Sequence, residues 1–402
     1  MKSKSKLFTK SDIVVIGQNY STSLALIKAA GEADYSCIEV ICSGSIPTKK
    51  KFSLSPDQVS KYTKRVIRIP RIDSAQVAKD LVIHLGSDEK KVVLPADDFC
   101  AEMLDSNKRL LSHYFLFPQV CDNNHRLSDY LNKGFQKELA LHHGIATAMN
   151  WSIPIYKGIE PNIPADIIYP CITKPRSSVG MPKSYIQKCD NLEQLRELLR
   201  KISANCSCEI LVEQYIAVET EFTIPGISDG HKVYIPAFIR KTLIGRGDHR
   251  GVTICGRVES ANRYDEIRNK LVRLMEEIQF SGNFDIEIFY SNNRFYLNEI
   301  NFRNGAGGYG LTKAGLNLPA IYIQSLLDAL PISLPNCGFE EKTFVNDKAA
   351  LDYYTAGFCS YMEYRKIKKK EIHFIDDSSD WRSKLSFKLL ATKLVFKTLV
   401  KN

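Results

Sequence analysis

Between Asn283 and Gly308 the chain alternates apolar and polar side chains, reverses at a polar tripeptide, and alternates again. Phe284, Ile286 and Ile288 interleave with Asp285, Glu287 and Phe289, the period-two pattern of a strand with two distinct faces. Ser291, Asn292 and Asn293 are turn formers. Phe295, Leu297, Glu299 and Asn301 are then expected on one face of the returning strand. A three-residue loop centred on Asn293 would set Glu287 directly opposite Glu299. Opposed carboxylates destabilise a hairpin. A divalent cation relieves the repulsion and prefers such hard oxygens, to which Asn301 adds a neutral one. Two acids on an ordinary wet hairpin face are the plainer alternative.

The rest of the pattern alternates strands and helices. Asp12–Gly17 reads as a buried strand, Ser21–Ala30 as a helix ending at Gly31, and Cys37–Cys42 as a second strand. This βαβ opening predicts a parallel sheet; without G-x-G-x-x-G it does not indicate a dinucleotide site. Leu81–Leu85 and Lys91–Leu94 are expected as further strands and Asp98–Tyr114 as helix, with a boundary near Asp122–Asn124. Leu131–His143 reads as a helix stopped by Gly144, Ile167–Lys174 as a strand, Leu192–Ile202 as an amphipathic helix, and Ile210–Ile216 as a strand carrying Glu213. Thr220–Ile224 and Lys232–Ile239 look antiparallel, and Glu266–Gln279 helical. From about Leu330, with Pro331, Pro335 and Gly338, a basic extension is expected. In it Arg382, Lys384, Lys388, Lys393, Lys397 and Lys401 occur without an acid among them. Leu385, Leu389, Phe396 and Leu399 can share a helical stripe there, while Leu390 and Leu394 fall opposite.

Composition narrows the class. The chain has 402 residues, 44% of them apolar and 25% charged, values that suit two or three globular domains. No run approaches the ~18 apolar residues of a membrane span, and Met1–Lys10 leads into a strand rather than a signal segment. Eleven scattered cysteines, with Cys206 and Cys208 as a lone C-x-C, argue against a disulfide framework and fit a reducing cytoplasm. The net charge of +10 suits nucleic acid, an anionic surface or polyanionic substrates. No helix-turn-helix, zinc finger or RNA-binding aromatic stripe accompanies it, so nucleic acid is not expected.

Other residues could complete a nucleotide site. Lys133, Lys174 and Glu213 precede the hairpin. Lys174 leads into a Pro/Ser/Gly loop whose Ser178 and Gly180 backbone suits phosphate oxygens. Glu213 could accept from an adenine amino group, and Arg240 with Lys241 could neutralise charge on phosphate. Each alone also suits an ordinary surface or sheet-edge charge.

Taken together these motifs resemble the ATP-grasp superfamily. Glu287, Glu299, Asn301 and Arg303 resemble the magnesium-binding strand pair of biotin carboxylase and carbamoyl-phosphate synthetase. Lys133 with the turn at Gly144, Lys174 ahead of its loop, and the Glu213-Gln214-Tyr215-Ile216 hinge resemble the ATP-binding positions. The pair Arg240-Lys241, the E-I-N-x-R run with its glycines, and Gly315–Pro319 are similar to short carboxylate–amine ligases of surface-polymer clusters and of the D-aspartate-ligase type. The loop Arg176–Ser184 departs from the pattern in having a single glycine.

The resemblance implies an α/β and α+β fold: a Rossmann-like pre-ATP-grasp domain over 1–124, then a two-lobed ATP-grasp fold over 125–330. Its lobes would span about 125–210 and 211–330, followed by a partly helical basic extension over 331–402. It implies ATP with Mg2+ or Mn2+ as cofactors. A carboxylate activated as acyl phosphate would be attacked by an amine, with Arg303 gripping the carboxylate and Arg240 and Lys241 assisting. Small-molecule or precursor-linked acids and amines, surface-polysaccharide or peptide-like products and a homodimer follow from the same likeness. A catalytically silent nucleotide-binding scaffold is the competing reading. The basic tail suggests peripheral contact with the inner face of a membrane.

Overall fold

The computed structural model describes residues 12–18, 20–43, 55–176, 183–246, 251–335 and 338–401, with the side chains of 399–401 outside that description. The first unit runs β1 (Ile13–Gly17), α1 (Tyr20–Gly31), β2 (Cys37–Ser43), β3 (Thr63–Pro70), α2 (Ser74–Leu85), β4 (Lys91–Pro95), α3 (Asp98–Ser106), α4 (Lys108–Leu111) and β5 (Phe115–Leu116). Its five strands form a parallel sheet in the order β3-β2-β1-β4-β5. Strand period separates the two faces of β1. Ile13 and Val15 share a core with Leu24 and Ile27 of α1, while Val14 and Ile16 meet Val77 and Leu81 of α2 and Met103 of α3.

Leu81–Leu85, expected as a strand, is the end of α2. The buried residues Val77, Ala78, Leu81 and Leu85 follow helical spacing, and a short apolar run cannot by itself separate the two periods. Strand β3 was hidden for the opposite reason. It is a basic edge strand with only Ile67 and Ile69 fully buried.

Short elements lead onward: β6 (Gln119–Val120), α5 (Leu127–Tyr130), α6 (Lys133–His142) and β7 (Ala146–Thr147). A small sheet follows, made of β8 (Asn150–Ile155), β9 (Cys171–Pro175), β10 (Lys188–Cys189) and β11 (Cys208–Gln214), antiparallel in the order β10-β9-β11-β8. Helix α7 (Leu192–Ser203) lays Leu195, Leu199 and Ile202 on the sheet's Ile153, Ile210 and Val212. The other face of this sheet carries Lys174 and Glu213.

The remaining elements are β12 (Thr220–Asp229), β13 (Val233–Tyr234), β14 (Ala237–Ile244), β15 (Thr253–Ser260), α8 (Asp265–Ile278), β16 (Phe280–Ser291), β17 (Arg294–Asn301), α9 (Gly308–Ala314), α10 (Leu318–Asp328), β18 (Thr343–Val345), α11 (Asp347–Thr355), α12 (Tyr361–Ile367), β19 (Ile372–His373) and α13 (Trp381–Lys401). The large sheet runs β19-β18-β15-β14-β12-β16-β17-β7, with β13 on β12 and β6 on β16.

Helices α5 and α6, expected with the small lobe, pack instead with α8 on the large sheet. Leu127, Tyr130 and Ala140 share a core there with Leu271, Ile286 and Ile300. The stretch from 331, expected as an extension, adds β18 and β19 to the large sheet. It also buries Phe344, Phe374 and Phe387 in the same core as α1 and α9.

Candidate functional site

The hairpin β16–β17 is the platform of the site. Its turn has two central residues, Asn292 and Asn293, with φ of 49° and 57°, between the paired Ser291 and Arg294. Two positive-φ residues match the right-handed twist of the flanking strands, and Asn tolerates that conformation. Pairing continues to Ile288–Leu297 and then skips Asn298, so that Glu287 pairs with Glu299 and Asp285 with Asn301. The opposition of Glu287 and Glu299 is therefore present. It arises from a two-residue turn plus a β-bulge, not from the expected three-residue loop. The bulge changes the phase of β17. Phe295 and Leu297 face the core before it, and Ile300 and Phe302 after it, so Glu299 and Asn301 do not share a face with Phe295 and Leu297.

A lattice of ion pairs covers the opposite face. Lys133, at the start of α6, lies 2.7 Å from Glu299. Lys241 of β14 lies 3.4 Å from both Glu287 and Glu221 of β12. From the small sheet, Lys174 donates to Glu213 at 2.8 Å and reaches the large sheet at Asn298, at 2.7 Å. Lys137, one helical turn after Lys133, lies 3.2 Å from the other Glu213 oxygen. Asn298 also donates to Glu287 at 3.3 Å. The facing surfaces of the two sheets thus carry lysines that each hold a carboxylate.

Electrostatics follow from burial and pairing. The Lys133 ammonium holds the Glu299 carboxyl well below the usual range, against a burial cost that alone would raise it. Burial disfavours the charged Lys241, but Glu287 and Glu221 outweigh it and raise its pKa. Asp285 differs. Burial pushes its carboxyl up to about 6, with Glu287 adding to the rise while a hydrogen bond from Thr223 opposes it. Gly305 sits against this carboxylate so closely that any Cβ there would collide with it.

Several expected site residues are placed otherwise. Arg240 lies on the far face of the sheet, because β14 alternates and only Lys241 points at the acids. Its guanidinium bonds Glu259 at 2.9 and 3.2 Å and Tyr264 at 2.9 Å, and it lies over the Phe222 ring. The Glu213 carboxylate is committed to Lys137 and Lys174 and is not turned to the hinge as an acceptor. The hinge amides of Gln214 and Tyr215 are bonded to Met149 and Pro170, and Ile216 follows them half-buried. Arg303, expected to be open to an anion, donates to Asp98 at 2.8 Å and to Asn301 at 3.1 Å. Ser178 and Gly180 lie outside the described residues.

Asn298, Lys137, Glu221 and Asp285 escaped the sequence reading. Each had a signal: the phase change from Leu297 to Ile300, the i, i+4 spacing from Lys133, and the period of two leading to Glu221 and Asp285.

The donor set fits a hard divalent cation. Glu287, Glu299 and Asn301 present two carboxylates and an amide oxygen on one sheet face, with repulsion between the acids that a cation would relieve. In this state lysines supply that relief. Among the described residues, the set of three metal-type side chains whose ligand atoms fall within 4.8 Å of one another is His142, His143 and Glu277, at the far end of α6.

Residues 155–306 match the family model described as the carbamoyl-phosphate synthase L chain, ATP binding domain. The chain is 23% identical over 237 residues to the carbamoyl phosphate synthase large chain of Saccharolobus solfataricus, covering 58% of this chain and 21% of that protein. Its counterpart in Buchnera aphidicola is 29% identical over 167 residues, 40% of this chain and 15% of that one. The chain therefore matches about a fifth or less of these curated relatives' length.

Among solved structures, N5-carboxyaminoimidazole synthetase from Staphylococcus aureus, complexed with ADP, aligns with a TM-score of 0.61 at 18% identity, over 88% of this chain and 87% of that one. L-amino acid ligase from Bacillus licheniformis aligns at 0.56 and 15%, over 80% and 75%. Biotin carboxylase from Campylobacter jejuni aligns at 0.58 and 15%, over 82% and 73%. Likeness at these identities is likeness of fold.

Proposed function

We propose that the chain is an ATP-grasp protein and an ATP-dependent carboxylate–amine ligase. Its reaction joins an acid to an amine through an acyl phosphate and releases ADP and phosphate. The observation that carries this reading is the in-register pair Glu287–Glu299, each acid held by a lysine of its own. A polyphosphate brings negative charge to a cleft whose cations are already matched by carboxylates. Entry then requires an exchange of partners. Lys133, Lys174 and Lys241 would then hold phosphate oxygens, and Glu287, Glu299 and Asn301 would hold Mg2+.

In such chemistry the ion supplies charge neutralisation on the transferring phosphoryl group. The protein's own contribution is positioning and fixed charge. The base of the nucleotide would sit against Gln214–Ile216. Arg303, released from Asp98, would hold the acid substrate bidentately. The acid attacks the γ-phosphorus and ADP leaves. The amine then attacks the acyl carbon, phosphate leaves, and the amine's proton is lost. Cell-surface polymers or peptide-like metabolites are the product class we propose.

The test is ADP release from MgATP across a matrix of amino acids, amino sugars and small acids. Release that requires both an acid and an amine is expected. Glu299→Gln should lower it by about 100-fold or more while keeping a single cooperative transition, at a lower thermal midpoint because the buried Lys133 loses its carboxylate. ATP binding with no turnover across the matrix would defeat the proposal.

A further inference from the structure

Helix α13 carries two apolar stripes, and only one is used by the body. Ser383, Ser386 and Phe387 are buried, and Leu390, Ala391, Leu394 and Val395 are half-buried, so one side follows helical spacing onto the protein. Leu390 and Leu394, opposite the outer stripe, belong to this inner side. The outer side presents Trp381, Leu385, Leu389 and Phe396 at 58%, 52%, 58% and 70% exposure. Interspersed with them on the same outer side are Arg382, Lys388, Lys393 and Lys397, with no acid anywhere in the helix.

The helix is anchored at its beginning. Ser60 and the Lys61 amide bond Asp380, the Ser383 hydroxyl bonds the Pro56 carbonyl, and Lys384 and Lys388 pair with Asp376 at 3.3 and 3.9 Å. Arg382, Lys393 and Lys397 have no ion-pair partner among the described residues. At 1.5 Å per residue its 21 residues form a rod about 31 Å long, held in one orientation with large apolar groups and cations outward.

We propose that the outer face of α13 docks the protein on an anionic lipid bilayer, lying in the headgroup plane. Charge complementarity selects this occupant. A second copy of the same face would set cations against cations, whereas anionic headgroups attract them. A face of Trp, Leu and Phe among Lys and Arg is the composition of helices that lie in a membrane interface. No helix among the described residues is long and apolar enough to cross a bilayer, so the contact is peripheral. The proposal is independent of the ligase chemistry, since it uses no residue of the cleft.

The experiment is cosedimentation of the full chain with phosphatidylcholine vesicles, with and without about a third phosphatidylglycerol, a mixture rich enough to add an anionic surface potential. Emission of Trp381 is followed in a Trp151→Phe background. Binding to the anionic vesicles alone, with a blue shift, is expected. The triple variant Arg382→Glu, Lys393→Glu, Lys397→Glu should lower the partition coefficient by about 100-fold or more. Leu385→Ser with Leu389→Ser should abolish the blue shift. Circular dichroism of both variants should match wild type, since all these side chains are exposed. Equal binding to neutral vesicles, binding unchanged in the triple variant, no binding by the wild type, or a solution dimer that the Leu→Ser variant dissolves would each overturn the proposal.

Discussion

Asp285 is the side chain whose protonation has the clearest consequence. It is buried beneath Gly305 beside Glu287, and its pKa rises to about 6 from an ordinary 3.8. A carboxyl whose folded pKa is raised binds more protons folded than unfolded between those values. Its contribution therefore favours the fold at low pH and is lost as pH rises through about 6. Fully expressed, the difference is about 3 kcal/mol. Asp285→Asn keeps an acceptor for Thr223 and removes the titration. The variant should gain stability relative to wild type between pH 4 and pH 7, by an amount of that order, in urea melts at the two values. A stability difference that does not change with pH would show that Asp285 stays ionised with a partner. At this scale much of the lysine–carboxylate lattice is legible in the sequence. Lys133, Lys174, Lys241, Glu287, Glu299, Asn301 and Arg303 all belong to the cleft. Arg240 does not, because adjacent residues on a strand face opposite ways, and two neighbouring cations could not both point inward.

The hairpin opposes Glu287 to Glu299 as its sequence predicts, but by a two-residue turn and a bulge instead of a three-residue loop. Arithmetic along the chain fixes only the sum of turn length and bulge, so one three-residue loop and a two-residue turn with a bulge give the same Glu287–Glu299 pair. The hydrophobic phase distinguishes them: Leu297 and Ile300 both need the core, and only an extra residue between them allows it. That extra residue, Asn298, joins the two sheets through Lys174 and steadies Glu287. Asn298→Ala should therefore loosen the small sheet on the hairpin without disturbing the core. The expected result is a lower thermal midpoint, reflecting the loss of a hydrogen bond to a charged group, worth about 1.5–3 kcal/mol at most, with an ATP affinity by titration calorimetry no weaker than wild type, because Lys174 no longer has to leave this acceptor for phosphate. A weaker ATP affinity would mean that Lys174 keeps Asn298 as its partner when ATP is bound.

In the molecule as a whole, the parallel first unit and the hairpin sheet could be anticipated, since each announces itself in local periodicity. The closing stretch could not, because its strands β18 and β19 have three and two residues and depend on partners nearly ninety positions or more away or within their own segment. What makes that stretch integral is packing. Phe344 occupies a slot where a Cβ on either Gly256 or Gly310 would meet its ring at 2.5 and 2.7 Å. It stacks on Phe374 with ring centroids 4.9 Å apart. Lys28 of α1, wholly buried, donates to the Phe374 carbonyl at 2.8 Å and pairs with Asp377 at 3.5 Å. Ending the chain at Leu330 would empty the slot and leave the Lys28 ammonium in an apolar core without an acceptor. Removing one large aromatic costs about 3–5 kcal/mol, and stranding a buried charge costs a similar amount. Together these exhaust the ordinary stability of a domain. The 1–330 fragment should therefore show no cooperative thermal transition and no near-ultraviolet circular dichroism. Lys28→Met in the full chain, which removes the charge and keeps the length, should melt cooperatively. A 1–330 fragment that unfolds sharply and retains ATP binding would mean that the cleft is held together without its C-terminal strands.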